Sequence, residues 1–385
     1  MQSYLNDFKP NVILFGGRML PPSETFIFAQ GEGLQKFTPY YAGTRLVRGL
    51  SLPVERTLVV NRKQFLGAAQ ELIFKLVGTA PHLYRQLQKL NPVLIHAHFG
   101  VCGALALPLA QALKLPLIVT FHGLDATMSD EYARRNSIST RIYLRRREAL
   151  KREAKLFVAV SEFIKAKLVE QGFPANKIVV HCIGVDTEVF QPDPAVLRKP
   201  VVLFVGRLAE KKGCEYLIRA MAQVQADMPE VELVIIGDGL LRQELELLAA
   251  SVLRRYQFLG LQSQSVVKSW MNQASLLAVP SVTAATGDSE GLPTVVVEAQ
   301  AMGLPVVGSI HAGIPQAVVH GETGLLSPER DCQALATNIL QLMQDPQLRQ
   351  RFSDRGQQRV QTLFNLHKQT RYLEDIYEAV LRGEV

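Results

Sequence analysis

The sequence has few cysteines, no long uninterrupted apolar run and no low-complexity tract. Its 385 residues include four cysteines, Cys102, Cys182, Cys214 and Cys332. No two stand at C-x-x-C spacing, so a zinc or redox motif and a disulfide framework are both unexpected. They read as reduced, buried small hydrophobes. The best candidate for a membrane span, Phe99–Phe121, contains Gln111 and Lys114 and is interrupted by Pro108 and Pro116. A buried helix followed by a buried strand explains it better. Met1–Pro10 is polar and lacks the apolar centre of an export signal. These absences point to a reduced, cytoplasmic protein. No internal repeat at solenoid periods is present either.

What remains is ordinary globular composition, 48% apolar and 20% charged. That argues against wholesale disorder, and the length predicts two domains, each able to bury its own core. The net charge of +7 is uneven. Residues 1–190 hold 24 Lys and Arg against 14 Asp and Glu, and residues 191–385 hold 18 against 21. The basic first half suits an anionic partner. Its densest stretch, Arg134–Lys155, reads as helical, with Ile138, Ile142, Leu144 and Leu150 at helical spacing. It is either a solvated face or a patch for anionic lipid headgroups or an acidic acceptor. Nucleic acid ranks last, because no aromatic stacking platform accompanies the charge.

Short β-branched runs alternate with helical patterns along the whole chain, the signature of βαβ units and parallel sheets. The expected strands are 12–15, 57–60, 94–96, 117–121, 156–160 and 178–181, then 201–205, 231–236, 257–259, 276–279, 306–308 and 325–326. A proline-rich seam, QPDPAVLRKP at 191–200, separates them into two Rossmann-like halves. Ligands of such sheets bind at the carboxyl ends of strands, which places the expected site in a cleft between the halves.

Three segments of the second half could carry chemistry. In Pro280–Gly313 a strand runs into a polar loop, then Glu290-Gly291-Leu292 and a helix with Pro293 in its first turn. A helix N-terminus suits a phosphate, and Gly291 permits close approach of a ligand. Glu290 in the loop and Glu298 in the helix could reach different parts of one extended ligand. In Val201–Leu217 a buried strand ends in Gly206, followed by Arg207 and Lys211-Lys212-Gly213; such cations suit a diphosphate. Ile235–Leu240 ends a strand in Gly237-Asp238-Gly239, which permits approach of a nucleotide. In the first half, Gly16-Gly17 reads as a turn after the first strand, without the full dinucleotide pattern. His122 lies at a strand end. His96 and His98 point the same way from one strand, but no carboxylate or thiol completes a metal set, so they read as structural or substrate-lining.

Together, GRLAEKKG, IIGDG, the E-x7-E segment EGLPTVVVEAQAMGLPVV and GETGLL resemble glycosyltransferase family 4, the retaining nucleotide-sugar transferases of GT-B fold. The first half resembles the family more loosely, through HAHFG and TFHGLD, and its PPSETF at Pro21–Phe26 is similar to transferases of bacterial exopolysaccharide assembly, such as those of the colanic acid type. The resemblance implies an α/β protein with two Rossmann-like domains facing each other across a cleft. An acceptor domain would span 1–192, with a C-terminal helix at 365–385 packing back on it. A nucleotide-sugar domain would span 193–364. It further implies that Arg207 and Lys212 bind the donor diphosphate, that Glu298 accepts hydrogen bonds from the ribose and that Glu290 contacts the donor sugar. His122 would lie beside the reacting sugar, and Gly16 and Gly17 would approach the diphosphate. Gly206, Gly237, Gly239, Gly291, Leu292, Pro293 and Thr294 complete the expected donor site. No D-x-D metal motif stands out, so paired cations would stabilise the leaving group without a metal or other cofactor. The expected reaction moves a hexose, from UDP-hexose first or GDP-mannose next, to a glycan or lipid-linked acceptor, with a possible anionic membrane contact through Arg134–Lys155. A nucleotide-sugar 2-epimerase and a non-catalytic two-domain binding protein are the competing readings.

Overall fold

The computed structural model describes residues 9–19, 21, 24–62 and 65–385. Most of Met1–Pro10, and Pro22 and Ser23 of PPSETF, lie outside the described residues. The chain divides into two compact α/β units, residues 1–184 with 366–385, and residues 185–365.

Unit 1 is built on a seven-stranded sheet. Its strands are β1 (Asn11–Met19), β2 (Thr38–Leu46), β3 (Thr57–Asn61), β4 (Leu94–His98), β5 (Leu117–Phe121), β6 (Leu156–Ala159) and β7 (Ile178–Val180), in the order β3-β2-β1-β4-β5-β6-β7. Every pair is parallel. The central strands β4, β5 and β6 are buried at every residue, as continuous apolar runs covered on both faces should be. β2 is the strand that the sequence pattern did not reveal. Its sequence, TPYYAGTRL, carries Pro39, Gly43 and Arg45 where apolar β-branched residues are the usual signal.

Gly16 and Gly17 require a correction. They do not form a turn after β1 but lie inside it, where Gly16 pairs with Gly43 of β2. A Cβ on Gly43 would stand 2.4 Å from the Gly16 carbonyl oxygen, so the close approach these residues permit is strand to strand. Gly17 is held by the Cys102 thiol, which accepts its N–H at 3.1 Å, and its carbonyl accepts the Thr44 hydroxyl.

Phe99–Phe121 folds as expected, into the helix Gly100–Leu113 followed by β5. Among the described residues no helix is long and apolar enough to cross a membrane. The C-terminal helix Leu366–Arg382 belongs to unit 1, where Leu373, Ile376, Tyr377 and Val380 pack on Val12, Leu94, Ile118 and Val158. Its Glu374 is fully buried and accepts the backbone N–H groups of Gln35 and Lys36 at 2.6 and 2.5 Å.

Arg134–Lys155 is two helices rather than one, Asp130–Asn136 and Ile138–Glu153. Ser137 breaks them: its hydroxyl accepts the Thr140 N–H while the Thr140 side chain accepts the Ser137 N–H, a reciprocal cap that starts a new helix. Several of the cations are also structural. Arg147 forms a two-pronged pair with Asp130 at 2.8 and 3.0 Å, and Lys151 reaches Glu148 and the Gln171 carbonyl. Arg134, Arg141 and Arg145 remain exposed.

Unit 2 has a six-stranded parallel sheet of β8 (Val201–Val205), β9 (Glu232–Ile236), β10 (Tyr256–Gly260), β11 (Leu276–Val279), β12 (Val306–Ser309) and β13 (Gly324–Ser327), in the order β10-β9-β8-β11-β12-β13. All six coincide with apolar runs in the sequence. The order reverses between β8 and β11, so the loops after these two strands open where an α/β sheet holds ligands. Segment 191–200 has neither helix nor strand and lies within this unit.

Candidate functional site

The loops after β8 and β11 in unit 2 bring the expected residues together. β8 ends at Val205, and Gly206, Arg207 and a short 3-10 turn, Glu210–Lys212, lead into the helix Cys214–Asp227. Gly213 has φ +62°, and a Cβ there would stand 1.8 Å from the Pro280 carbonyl oxygen. Only glycine lets these two loops meet. Lys211 O accepts the Val282 N–H at 2.8 Å and fixes their relative height.

That contact delivers Lys212 to Glu290. The ammonium lies 2.6 Å from Oε1, and the Ser281 hydroxyl donates to the same oxygen at 3.0 Å. Lys211 pairs in the same way with Asp288 at 2.8 Å. Burial pushes the Glu290 carboxyl up, but the charges of Lys212 and Lys211 and the two hydrogen bonds outweigh it and hold the group at about 2. Glu290 is therefore a fixed anion and an acceptor, not a proton donor. Arg207 is exposed and enters no ion pair among the described residues.

Glu298 has the opposite environment. It is the fifth residue of the helix Thr294–Ala301, whose N-cap is Pro293. The residue as a whole is half-buried, and its carboxyl makes no hydrogen bond or ion pair among the described residues. Burial alone pushes it up to about 7. An unpartnered buried carboxyl is costly, and neutral hydroxyl donors would satisfy it. Glu290, Gly291, Leu292 and Pro293 are buried, and Thr294 half-buried, at the start of the same helix.

The glycines of IIGDG pack loop on loop. Gly237 has φ +144°, and a Cβ on it would meet the Gly206 carbonyl oxygen at 1.9 Å; one on Gly239 would meet the Leu208 carbonyl oxygen at 2.3 Å. Their smallness sets the path of the chain from Gly206 through Arg207 to Leu208.

A histidine and a glutamate that the sequence reading gave no role support this loop. His311 is buried, accepts the Glu290 backbone N–H on Nε2 at 3.3 Å and lies 2.6 Å from Glu329 through Nδ1. The first bond requires a bare Nε2, so the proton sits on Nδ1 and is donated to Glu329. Glu329 also accepts the Thr283 N–H at 2.9 Å. His311 comes two residues after the end of β12, close to a strand end as His122 is.

In unit 1, His122 follows β5. Its Nε2 lies 3.2 Å from Nδ1 of His98, the rings are stacked, and Phe26 and Phe99 close around it. Burial first, then the neighbouring His98 and His181, hold His122 well below its ordinary value, so it is a neutral imidazole. Its Nδ1 is buried without a hydrogen-bond partner. Asp125 of TFHGLD fixes the loop by accepting N–H groups of His122, Gly123 and Gly100 at 3.1, 3.0 and 2.8 Å. His96 has both ring nitrogens engaged at 2.6 Å, one with the Tyr377 hydroxyl and one with Thr120. It is a structural residue.

Sequence and fold match known proteins. The family description "Glycosyl transferases group 1" fits residues 186–359, and "Glycosyltransferase Family 4" fits residues 40–189. The chain is a glycosyltransferase of the GT-B fold class, and it belongs to glycosyltransferase family 4. It is 33% identical over 287 residues to the amylovoran biosynthesis glycosyltransferase AmsK of Erwinia amylovora, a match covering 73% of this chain and 69% of that one. It is 31% identical over 255 residues to the putative colanic acid biosynthesis glycosyltransferase WcaL of Escherichia coli, covering 63% of this chain and 59% of that protein. The crystal structure of Anabaena Alr3699/HepE in complex with UDP shares the fold with a TM-score of 0.75 at 20% identity, over 96% of this chain and all of that one.

Proposed function

We propose that this glycosyltransferase moves a hexose, with retention of configuration, from a nucleotide sugar to a glycan or lipid-linked acceptor in exopolysaccharide assembly. UDP-hexose is the favoured donor and GDP-mannose the next. The observation that carries this reading is the pair of carboxyls eight positions apart in opposite states, Glu290 locked as an anion by Lys212 and Glu298 unpartnered. The first suits hydroxyls of the donor sugar and the second suits the ribose. The polysaccharide assignment draws on what the relatives' names say of AmsK and WcaL.

A nucleoside diphosphate leaving group needs cationic stabilisation as the glycosidic bond breaks. Arg207 is exposed for it, and Lys212, paired with Glu290, runs its stem past Gly206, where a Cβ would lie 3.6 Å from Lys212 Cδ. Glu290, already ionised, would hold the sugar as charge develops on the anomeric carbon, consistent with a front-face path. His122, Gly16 and Gly17 are assigned to the sugar and diphosphate on the resemblance alone. The acceptor role is given to residues 1–192 with the helix 365–385, the donor role to 193–364, and the reaction is placed in the cytoplasm at the inner face of the membrane. The exposed arginines of Arg134–Lys155 are offered to anionic lipid.

The test is a thermal-shift panel of UDP, GDP, ADP and their sugars on wild type and Glu298→Ala. A nucleotide at about 100 times its dissociation constant adds ~2.7 kcal/mol of stability. A shift with one nucleotide that shrinks in the variant is expected. No shift with any of them would remove the donor-site reading, and release of a 2-epimer without acceptor would replace transfer by epimerisation. Retention is read from the anomeric configuration of the product.

A further inference from the structure

The helix Gly67–Val77 of unit 1 buries its one acid and exposes four aliphatic side chains, unlike an ordinary surface helix. It turns Gly67, Glu71 and Phe74 inward. Glu71, its one acid, is buried and paired with Lys75 at 2.6 Å, with Asn61 and Thr44 also bonded to it. The outward face is Leu72, Ile73, Leu76 and Val77, each between 43% and 66% exposed, and Phe65 just before the helix is fully exposed. A contiguous apolar patch of this kind is uncommon on a soluble surface and marks an interface.

The surroundings say what covers it. Between Arg56 and Leu124 the only acidic residue is Glu71. Ile73 shares a groove of about 430 Å³ with Arg62 and Arg85, both exposed, and with Val60 and Leu83. Arg146 donates to the Leu76 carbonyl at 2.9 Å and ties the helix end to the helix Ile138–Glu153. An apolar face bordered by cations, in a stretch of the chain whose one acid is buried, is complementary to an anionic lipid surface, into which apolar side chains insert while arginines meet phosphates. A second copy fits less well: in a two-fold contact the patch faces itself, and Arg62 and Arg85 would be set against their own copies.

We propose that the helix Gly67–Val77 is a membrane-interface anchor that inserts Leu72, Ile73, Leu76 and Val77 into the headgroup boundary of an anionic bilayer. It deepens the lipid-linked-acceptor reading but stands on residues outside Arg134–Lys155.

The experiment is vesicle flotation of the full chain with phosphatidylcholine alone and with added phosphatidylglycerol. Wild type is compared with a Leu72→Gln/Ile73→Gln/Leu76→Gln/Val77→Gln variant and with Arg62→Glu/Arg85→Glu. Glutamine is a good helix former and these positions are exposed, so circular dichroism and the nucleotide thermal shift should match wild type. Wild type should float with the anionic vesicles, the glutamine variant at least about tenfold less, and the glutamate variant should lose its preference for phosphatidylglycerol. Equal flotation of wild type and the glutamine variant would overturn the proposal. So would dimerisation of wild type by light scattering that the glutamine variant abolishes, with no flotation. The nucleotide shift is read separately, so a failed flotation leaves the donor reading standing.

Discussion

The Lys212 ammonium lies 2.6 Å from the Glu290 carboxylate although 78 positions separate them in the chain. The two belong to loops after different strands, locked together at Gly213 and Pro280. The Lys212 cation keeps the buried Glu290 carboxylate ionised.

Lys212→Met should therefore do more than weaken diphosphate binding. It leaves Glu290 buried beside one fewer cation, and breaking a buried pair costs about 3–5 kcal/mol. A drop in Tm is expected at pH 7, smaller near pH 4 where an unpaired Glu290 protonates. Lys212→Met/Glu290→Gln should recover much of the stability and none of the activity. If the single and double variants melt alike at pH 7, the pair does not govern the loop.

Glu298 gives a prediction of opposite sign. Its folded value, about 7, is above that of an unfolded glutamate, so the folded state binds the extra proton. Stability is then full below about pH 4.5 and falls as pH rises to about 7, by ~3 kcal/mol in all. Glu298→Gln should raise Tm at pH 8, leave it nearly unchanged at pH 4 and shrink the nucleotide shift. Parallel melting curves for the two proteins across this range would refute the assignment of an unpartnered carboxyl.

His311 acts on the Glu290 loop through a backbone N–H rather than on substrate. His311→Ala and Glu329→Ala should each loosen the loop and cut kcat/KM for the donor by about tenfold, on the order of 1.4 kcal/mol, with a larger loss in binding of nucleotide sugar than of free nucleotide. The discriminating readout is binding of nucleotide sugar against nucleotide alone. An equal loss for both would make the pair a stability element only.

Tyr377→Phe tests the C-terminal helix. It removes the hydroxyl from the buried His96 Nδ1 and should cost about 1–3 kcal/mol in denaturant unfolding of unit 1. Unchanged unfolding would show that His96 finds another partner.

Much of this was legible in the sequence. All six strands of unit 2 appear as apolar runs, and Glu290, Glu298, Arg207 and Lys212 stood out at strand and helix ends. β2 did not, because Pro39, Gly43 and Arg45 dilute its pattern, and Gly16-Gly17 therefore looked like a turn with no partner strand to face. The Lys212–Glu290 pair, and the His311–Glu329 pair behind it, depend on loops meeting in space, which spacing along the chain does not encode. Asp125, bonded to three N–H groups of two loops, was quoted within a motif but its bracing role is visible only in three dimensions.

The chain leaves unit 1 after Gly184 and returns to it at Leu366, so unit 2 is in effect an insertion within unit 1. During synthesis the 185–365 segment can complete its own sheet while the first 184 residues still lack Leu373, Ile376 and Tyr377. Those side chains close the core around Val12 and Leu94 only when the helix Leu366–Arg382 emerges. Synthesis interrupted before that helix would leave a finished second unit tethered to an unfinished first one, its apolar core open to chaperones and proteases. Placement of these few residues after the whole of unit 2 makes synthesis of the helix Leu366–Arg382 a condition for the first unit's stability.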